Sequence, residues 1–356
     1  KQMEARIAQM QADQLLRAER EAEELIASDN GKFRYNDESI TFAKKDLTIT
    51  TERLGRGSDT VQVFRGTFMT PKKELEVAVK VMRVIDPKGR DKGRTQTAMI
   101  QEAVVGQRAA THDNVVRLFG FVIEGPTCYM AMELMAANLD EVKMMAHDRE
   151  NLDAPRLESF LGCATVAVVD ALTFLRNEAH VMHRDLKPNN IMISGAGDVK
   201  LCDFGESKKL ATGLSTKART GDAGCIKYMA PERFEASSKE KGYGSKSEVW
   251  SLGITLVEVA IGKFPYEGAT HYNVSLMIVN GEPPVLDRDH GSLQFRNFIN
   301  ACLFKQEENR DGLVGEKRLQ ARKFYRQHAS IELETRRANV KEILELVKPH
   351  LNSMRK

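Results

Sequence analysis

The sequence has few cysteines, almost no net charge and no long apolar run. Its five cysteines, at 128, 163, 202, 225 and 302, are an odd number without a CxxC spacing, so a disulfide framework is not expected and a reducing compartment fits better. The 53 basic and 50 acidic residues leave a net charge of +3, too little to predict nucleic-acid binding through a broad basic surface. No apolar segment reaches the length of a membrane-spanning helix, and the start lacks the apolar core of a signal peptide. We therefore expect a cytoplasmic protein, with nuclear entry allowed, that has neither nucleic acid nor membrane among its partners.

Apolar periodicity divides most of the 356 residues into a strand-rich region and a helical region. Residues 46–132 contain one helical stretch near 96–110 and short alternating runs that predict antiparallel strands, at 47–54, 61–68, 77–82, 119–123 and 129–132. Residues 133–350 have helical spacing across 157–175, and 249–261 is apolar nearly all round, as in a helix at the centre of a lobe. The predicted class is α+β, with a small antiparallel β lobe that includes one key helix and a larger, mainly helical lobe.

Residues 1–45 form an extension before the first predicted strand. Residues 1–30 are rich in Gln, Glu, Ala and Arg, which favours helix by propensity, but their apolar residues make a poor heptad stripe. A solvated, partly frayed helix is therefore preferred over a coiled coil or a docking segment, and the residues at 29–32, Asp-Asn-Gly-Lys, end it. The prediction for 1–45 is a helical or flexible extension.

The segment 183–190, with the sequence HRDLKPNN, places charged and amide side chains close together. Asp185 can accept the proton of an attacking hydroxyl, and Lys187 can neutralise charge on a phosphoryl group in transfer. Asn190 and Asp203, which follows it by thirteen residues, offer the hard oxygen ligands that Mg²⁺ prefers. Phosphoryl transfer depends mainly on positioning and charge neutralisation, so this combination indicates a phosphotransferase.

A glycine-rich segment and a lysine precede these residues. The run Leu54, Gly55, Arg56, Gly57, Ser58 stands before a predicted strand, where glycines let backbone amides approach phosphate oxygens; a tight hairpin turn is the alternative. In the strand that follows, period-two alternation puts Ala78 and Lys80 on one face, with room for a flat base beside Ala78 and an ammonium within reach of phosphates. Glu102, in the next predicted helix, is the candidate partner of Lys80.

Together these motifs resemble the eukaryotic protein kinase family. The resemblance rests on the glycine-rich loop, the VAVK strand ending at Lys80, the HRDLKPNN segment, the DFG at 203–205 and the APE at 230–232. It covers about 46–350 and implies the bilobal kinase fold, ATP with Mg²⁺ as cofactors, and a protein hydroxyl as acceptor. Lys187 with the Pro-Asn that follows it is similar to the Ser/Thr type of catalytic loop.

Four further segments, 132–135, 200–205, 222–233 and 250–255, are similar to mitogen-activated protein (MAP) kinase kinases, above all to the branch directed at stress-activated MAP kinases. This resemblance implies that Met132 is the gatekeeper beside the adenine and that the backbone from Glu133 to Met135 binds it. The ATP contacts would then include Leu54, Gly55, Arg56, Gly57, Ser58, Val63, Ala78, Lys80, Met132, Glu133 and Met135. The implied substrate is the Thr and Tyr of a MAP kinase activation loop, and the implied activator is a MAP kinase kinase kinase. A Ser/Thr-only kinase and a pseudokinase scaffold are the alternatives.

The activation segment, residues 203–232, contains the predicted regulatory sites. By position before Ala223-Gly224-Cys225, Thr216 and Thr220 fall where this family has its two activating phosphosites, and Ser215 is a further candidate. Each phosphate adds about −1.5 to −2 charge, and Arg184 is the natural cationic partner. The alternative is that Ser and Thr simply populate a flexible loop.

The sequence departs from the family pattern at three positions. The third glycine of the glycine-rich loop is replaced within 58–60, Glu206 follows the DFG in place of an aliphatic residue, and Glu248 stands where kinases usually have an aspartate that binds the catalytic-loop backbone. The arginine expected to pair with Glu232 of the APE is Arg310 by spacing or Arg322 by local sequence, with a slight preference for Arg310. The stretch 322–348 resembles the region where the family docks its activators; a packed terminal helix is the alternative.

Overall fold

The computed structural model describes residues 31–35, 38–55, 61–83, 96–147, 152–205, 208–209, 226–234, 244–266 and 270–354. They form two compact units. The first unit contains the described residues up to Met135 together with those of 203–209, and the second contains the described residues from Ala136 to Cys202 and from 226 to 354.

The first unit is built around a five-stranded antiparallel sheet with the strand order β3-β4-β5-β7-β6. Its strands are β3 (Leu47–Arg53), β4 (Val61–Met69), β5 (Glu74–Arg83), β6 (Leu118–Glu124) and β7 (Thr127–Glu133), and its helix is α1 (Gln96–Ala109). The five predicted strands and the predicted helix are thereby confirmed, with shifts of a few residues at their ends. In β5 the fully buried Val77 and Val79 alternate with Ala78 and Lys80, as expected for a sheet whose two faces meet different surroundings.

A separate hairpin precedes this sheet, formed by β1 (Gly31–Tyr35) and β2 (Glu38–Phe42). Phe42 is fully buried, its ring centroid lies 4.8 Å from that of Phe68, and it packs so closely on Gly120 that a Cβ there would lie 2.6 Å from the ring. For 31–42 the prediction of a helical or flexible extension is therefore wrong, because apolar residues alternate at 33, 35, 40 and 42 and satisfy a strand period. Residues 1–30 lie outside the described part of the chain.

The second unit is mainly helical. Its helices are α2 (Leu139–His147), α3 (Ala154–Asn177), α4 (Ser245–Ile261), α5 (His271–Asn280), α6 (Leu293–Cys302), α7 (Lys323–Ala329) and α8 (Leu333–Met354). Short 3₁₀ turns occur at Pro188–Asn190, Pro231–Phe234 and Leu319–Ala321, and a further one in the first unit at Lys44–Asp46. The two central helices match the prediction from apolar spacing, and the α+β class is confirmed.

Helix α3 begins with Asp153 as its N-cap, whose side chain accepts the Arg156 amide at 2.8 Å, and it has Pro155 in its first turn. Both are favoured helix-start residues. By length and composition α3 could cross a membrane, with a mean hydropathy of 1.5, so the expectation that no segment reaches that length is wrong. However, 72% of its most apolar window is buried inside the protein, which is typical of a core helix.

A small sheet in the second unit joins β8 (Ala137–Asn138), β10 (Ile191–Ile193) and β11 (Val199–Leu201), in the order β11-β10-β8. Strand β10 starts directly after Asn190, and β11 ends directly before Cys202. The turn between these strands is held by α8: Arg337 Nε lies 2.6 Å from Asp198 Oδ1, and Gly197, at φ +93°, packs against the Arg337 carbonyl. The short strands β9 (Val181–Met182) and β12 (Lys208–Lys209) complete the described elements.

We expect Phe42→Ala to lower the free energy of unfolding by about 3–5 kcal/mol, because it removes a fully buried ring and leaves a cavity. Urea unfolding followed by intrinsic fluorescence measures the change. Phe304→Ala, at a side chain that is 43% exposed, is the matched control and should change stability by less than about 1 kcal/mol. Equal effects of the two substitutions would show that the hairpin is not part of the folded core.

Candidate active site

In the first unit, Lys80 forms two ion pairs. Its ammonium lies 2.6 Å from Glu102 Oε1 on α1 and 3.0 Å from Asp203 Oδ1. Lys80 and Glu102 are each only 6% exposed, so the pair is a buried one whose charges must be matched to be tolerated. The predicted contact between Lys80 and Glu102 is thus present, and Asp203 joins the same cluster.

The backbone of Asp203 has a φ of +65°, in the left-handed region that Asp tolerates better than most residues. The Gly205 amide donates to Asp203 Oδ1 at 3.4 Å, at the long end of hydrogen-bond distances. Such strained backbone occurs preferentially at functional sites. The DFG segment therefore has a defined and unusual conformation up to Gly205, and Glu206 lies outside the described residues.

Several predicted ATP contacts share one face of the sheet. Paired residues of antiparallel strands point to the same face; Val63 pairs with Lys80, and Ala78 pairs with Met132. Because Ala78 and Lys80 also share a face of β5, all four side chains lie on one surface, beside the cluster around Lys80. This surface offers small and apolar side chains next to one ammonium, which suits a flat base followed by phosphates.

The start of the glycine-rich loop is fixed to this sheet by the Leu54 amide, which donates to the Val63 carbonyl at 2.8 Å. Gly55 follows at φ +114°, a conformation that favours glycine. Arg56, Gly57 and Ser58 lie outside the described residues. The effect of the missing third glycine on the loop therefore stays a prediction from the sequence.

One residue of the predicted hinge, Glu133, already forms hydrogen bonds within the first unit. The Glu133 amide donates to the Arg117 carbonyl at 2.9 Å, and Glu133 Oε2 accepts the Arg117 amide at 3.2 Å. The Glu133 amide is therefore committed, and adenine binding would rely on other backbone groups of 133–135. Met135, at the end of this stretch, is buried.

In the second unit, the catalytic-loop side chains converge on Asp185. Lys187 Nζ lies 2.6 Å from Asp185 Oδ2, and Asn190 Nδ2 donates to the same oxygen at 2.9 Å and to the Asp185 carbonyl at 2.7 Å. No described residue donates a hydrogen bond to the other carboxylate oxygen, Asp185 Oδ1. One carboxylate oxygen is thus held by two donors, and the other is left to accept a proton or a hydroxyl hydrogen.

Glu248 on α4 holds the backbone of the catalytic loop. Its Oε1 accepts the amides of His183 at 2.5 Å and Arg184 at 3.2 Å, and Arg184 has a left-handed φ of +69°. His183 is fully buried, and its Nε2 lies 2.9 Å from the Cys202 carbonyl. The longer glutamate therefore still reaches both amides, and His183 is a supporting residue to which the sequence assigned no role of its own.

Glu248 is 1% exposed, and burial raises its pKa to about 7, although the amides of Arg184 and His183 oppose the shift. Its Oε2 has no hydrogen-bond partner in the part of the chain that the structure describes. A buried carboxylate with one unsatisfied oxygen is costly when charged. The position therefore titrates close to neutral pH.

The arginine that pairs with Glu232 is Arg310. Its guanidinium is fully buried and bidentate on the Glu232 carboxylate, at 2.8 and 3.0 Å. Arg322 instead forms a bidentate pair with the buried Asp311, at 2.7 and 2.8 Å. The preference for Arg310 from spacing is thereby confirmed, and the second arginine has a separate structural role.

The predicted phosphosites Ser215, Thr216 and Thr220 lie outside the described residues. Arg184, their predicted cationic partner, is described, and it is half-buried. Its role as a phosphate sensor stays a prediction.

We expect the free energy of unfolding to fall by about 1.4 kcal/mol per pH unit between about pH 4.5 and 7 through Glu248. In this window the folded state keeps the proton that the unfolded chain has released, so stability is highest at the acid end and levels off above pH 7. Glu248→Gln should remove this component from urea unfolding at pH 5, 6, 7 and 8, whereas Glu332→Gln, at an exposed carboxylate, should not. An unchanged slope in Glu248→Gln would contradict the raised pKa.

Comparison with known proteins agrees with this geometry. Residues 49–322 match the protein kinase domain family. The chain is 40% identical over 226 residues to the MAP kinase kinase mkk-4 of Caenorhabditis elegans, covering 61% of this chain and 59% of that protein. It is 41% identical over 200 residues to the dual specificity mitogen-activated protein kinase kinase hemipterous of Drosophila melanogaster, covering 55% of this chain and 16% of that protein.

It is also 40% identical over 199 residues to dual specificity mitogen-activated protein kinase kinase 7 of Homo sapiens, covering 55% of this chain and 45% of that protein. The chain thus spans less than two thirds of the length of these curated relatives. The family match covers most of the sequence. It contains every residue of the catalytic loop and the three residues Lys80, Glu102 and Asp203 that form the buried ion pairs. The chain belongs to the protein kinase family.

Proposed function

We propose that this protein is an ATP-dependent protein kinase of the MAP kinase kinase type, which phosphorylates Thr and Tyr in the activation loop of a MAP kinase. The observation that carries the enzymatic part is the arrangement of Lys187 and Asn190 on one oxygen of Asp185. The choice of substrate is supported by about 40% identity to MAP kinase kinases of three animals.

Asp185 orients the substrate hydroxyl and accepts its proton on Oδ1, the oxygen that Lys187 and Asn190 leave available. Lys187 neutralises charge on the phosphoryl group during transfer, because its ammonium is already held beside Asp185. Charge stabilisation of this kind by preorganised groups is a major source of rate enhancement. Lys80, held by Glu102, is the proposed ligand of the ATP phosphates.

The residues present also suit Mg²⁺, which prefers carboxylate and other hard oxygen ligands. Asn190 uses its amide nitrogen on Asp185, which leaves its amide oxygen out of these two bonds. Asp203 offers a carboxylate that is one third exposed. We propose these two residues as the metal ligands. When bound, the metal ion neutralises phosphate charge.

The proposed partners are a downstream MAP kinase and an upstream MAP kinase kinase kinase that phosphorylates Thr216 and Thr220. The proposed location is the cytoplasm. Cys128, Cys163, Cys202 and Cys302 are free thiols, which supports a reducing compartment.

We expect Asp185→Asn to lower kcat by about 10²–10⁴-fold, the usual contribution of a positioned general base. The amide keeps the size of the side chain but cannot take the proton. Transfer of labelled phosphate from ATP measures kcat, and titration with a fluorescent ATP analogue should give an unchanged Kd, because Asp185 is not a proposed nucleotide contact. Asp289→Asn, at an exposed aspartate, is the matched control; activity surviving in Asp185→Asn would refute the catalytic assignment.

We expect Thr216→Ala with Thr220→Ala to abolish activation by an upstream kinase, because the phosphates that Arg184 would bind can no longer form. Thr335→Ala, at an exposed threonine of α8, should leave activation unchanged. Mass spectrometry of the products measures both effects.

The substrate is tested with the Thr216→Asp, Thr220→Asp variant, ATP-Mg²⁺ and inactive stress-activated MAP kinases. Phosphate on both Thr and Tyr of the activation loop supports the proposal. Phosphate on Thr alone would indicate a Ser/Thr-only kinase, and no phosphate on any protein would indicate a pseudokinase scaffold.

A further inference from the structure

A buried charged cluster in the second unit is not used by the mechanism above. Lys143 on α2 lies 2.6 Å from Asp140 Oδ1 and 2.6 Å from Glu258 Oε1 on α4. The Tyr228 hydroxyl donates to the other oxygen of Glu258 at 2.6 Å. We call these four residues the Lys143 cluster. One ammonium thus serves two carboxylates, and both oxygens of Glu258 have a partner.

The Lys143 cluster depends on its cation. Glu258 is 4% exposed and the Lys143 side chain 12%, so removing Lys143 would leave a buried carboxylate without a counter-charge, which is strongly unfavourable. Burial alone would lower the pKa of Lys143, but its bonds to Asp140 and Glu258 outweigh burial and raise it. Burial and the charge of Glu258 hold the pKa of Tyr228 far above its usual value, so the phenol keeps its proton and stays a donor.

The Lys143 cluster is connected at one end to the catalytic loop. Asn189 Nδ2, between Lys187 and Asn190 in sequence, donates to Asp140 Oδ2 at 3.3 Å. The contact is long and exposed, so it contributes little stability.

At its other end the cluster holds the final part of the activation segment. Tyr228 stands two residues before Ala230-Pro231-Glu232, and its carbonyl accepts the Ser251 hydroxyl of α4 at 2.8 Å. The Tyr228 ring packs edge-on against the Phe264 ring, and the Lys227 ammonium lies 4.8 Å from the centroid of the Phe264 ring. The negative charge of Asp185 also contributes to the raised pKa of Tyr228, so the phenol lies within the field of the catalytic carboxylate.

A protein substrate must bring its hydroxyl to Asp185 Oδ1, and its backbone must therefore pass the residues around Asp185. Tyr228, in the segment 226–230, lies close enough to Asp185 for that carboxylate to raise its pKa. One continuous set of contacts connects the segment 226–230 to the catalytic loop. It leads from Asn189 through Asp140, Lys143 and Glu258 to Tyr228.

We propose that Lys143 is a positioning residue for the protein substrate, which aligns segment 226–230 with the catalytic loop by balancing Asp140 and Glu258. The proposal rests on the proposed function, because it needs a protein hydroxyl as the acceptor. Lys143 does not touch the reacting atoms, so its effect falls on the KM for the protein substrate rather than on ATP.

The test compares the phosphorylated enzyme with its Lys143→Met variant on an inactive stress-activated MAP kinase. We expect the KM for this protein to rise by about 10-fold or more, the scale of losing one partner of a buried charge pair. The KM for ATP, and the rate at which the enzyme hydrolyses ATP to water without any protein substrate, should change by less than about 2-fold. Lys143→Arg, which keeps the cation, should restore most of the loss.

Two further variants separate positioning from simple loss of structure. Tyr228→Phe removes only the phenol hydrogen bond to Glu258 and should raise the KM for the protein in the same direction while keeping the thermal midpoint Tm. Lys317→Met, at an exposed lysine, should change nothing. The proposal is overturned if Lys143→Met and Tyr228→Phe both keep the wild-type KM for the protein. It is also overturned if all rates of Lys143→Met fall together with its Tm and Lys143→Arg does not restore them.

Failure of the proposed function would look different. An unmutated enzyme that hydrolyses ATP but labels no protein would contradict the MAP kinase kinase proposal itself, and the positioning role would fall with it. A wild-type enzyme that labels the MAP kinase, with variants that label it equally well, would overturn the role of Lys143 alone.

Discussion

The hydrogen bonds from the amides of His183 and Arg184 to Glu248 Oε1 set the backbone from which Asp185 and Lys187 extend. Arg184 has a left-handed φ, which costs an ordinary side chain of order 1 kcal/mol or more, so the loop needs an acceptor outside itself. Glu248 lies on α4, where nearly every position is buried. The geometry of the catalytic loop therefore depends on a helix that is itself buried along most of its length.

The charged groups of the candidate site follow one pattern, in which a single group has two partners. Lys80 contacts Glu102 and Asp203, and Lys187 and Asn190 share one oxygen of Asp185. Such arrangements hold side chains in place before any ligand arrives, which lowers the reorganisation needed during phosphoryl transfer. They also explain why buried charges are tolerated here, since each has a counter-charge or a donor.

Much of the fold was predictable because strand and helix periods are local properties of the sequence. Lys80 and Glu102 were also predictable as partners, since the family resemblance places them. The hairpin at 31–42 was missed because the composition of residues 1–30 dominated the interpretation of the extension. The contact between Lys143 and Glu258 joins residues 115 positions apart, and no period or motif relates them. Arg184 has a left-handed backbone and its amide bonds to Glu248, and nothing in the residue itself signals this conformation.

The family match ends well inside the folded protein at both sides. It spans 49–322, whereas Phe42 fills the space between Gly120 and Phe68, and Arg337 of α8 holds the turn after β10 through Asp198 and Gly197. A fragment cut to the matched residues would expose apolar surface on the sheet and release the hairpin that follows Asn190. A fragment that keeps both units intact therefore has to be longer than the matched range at each end, because the first unit uses Phe42 in its core and the second uses Arg337 to hold a turn of its small sheet.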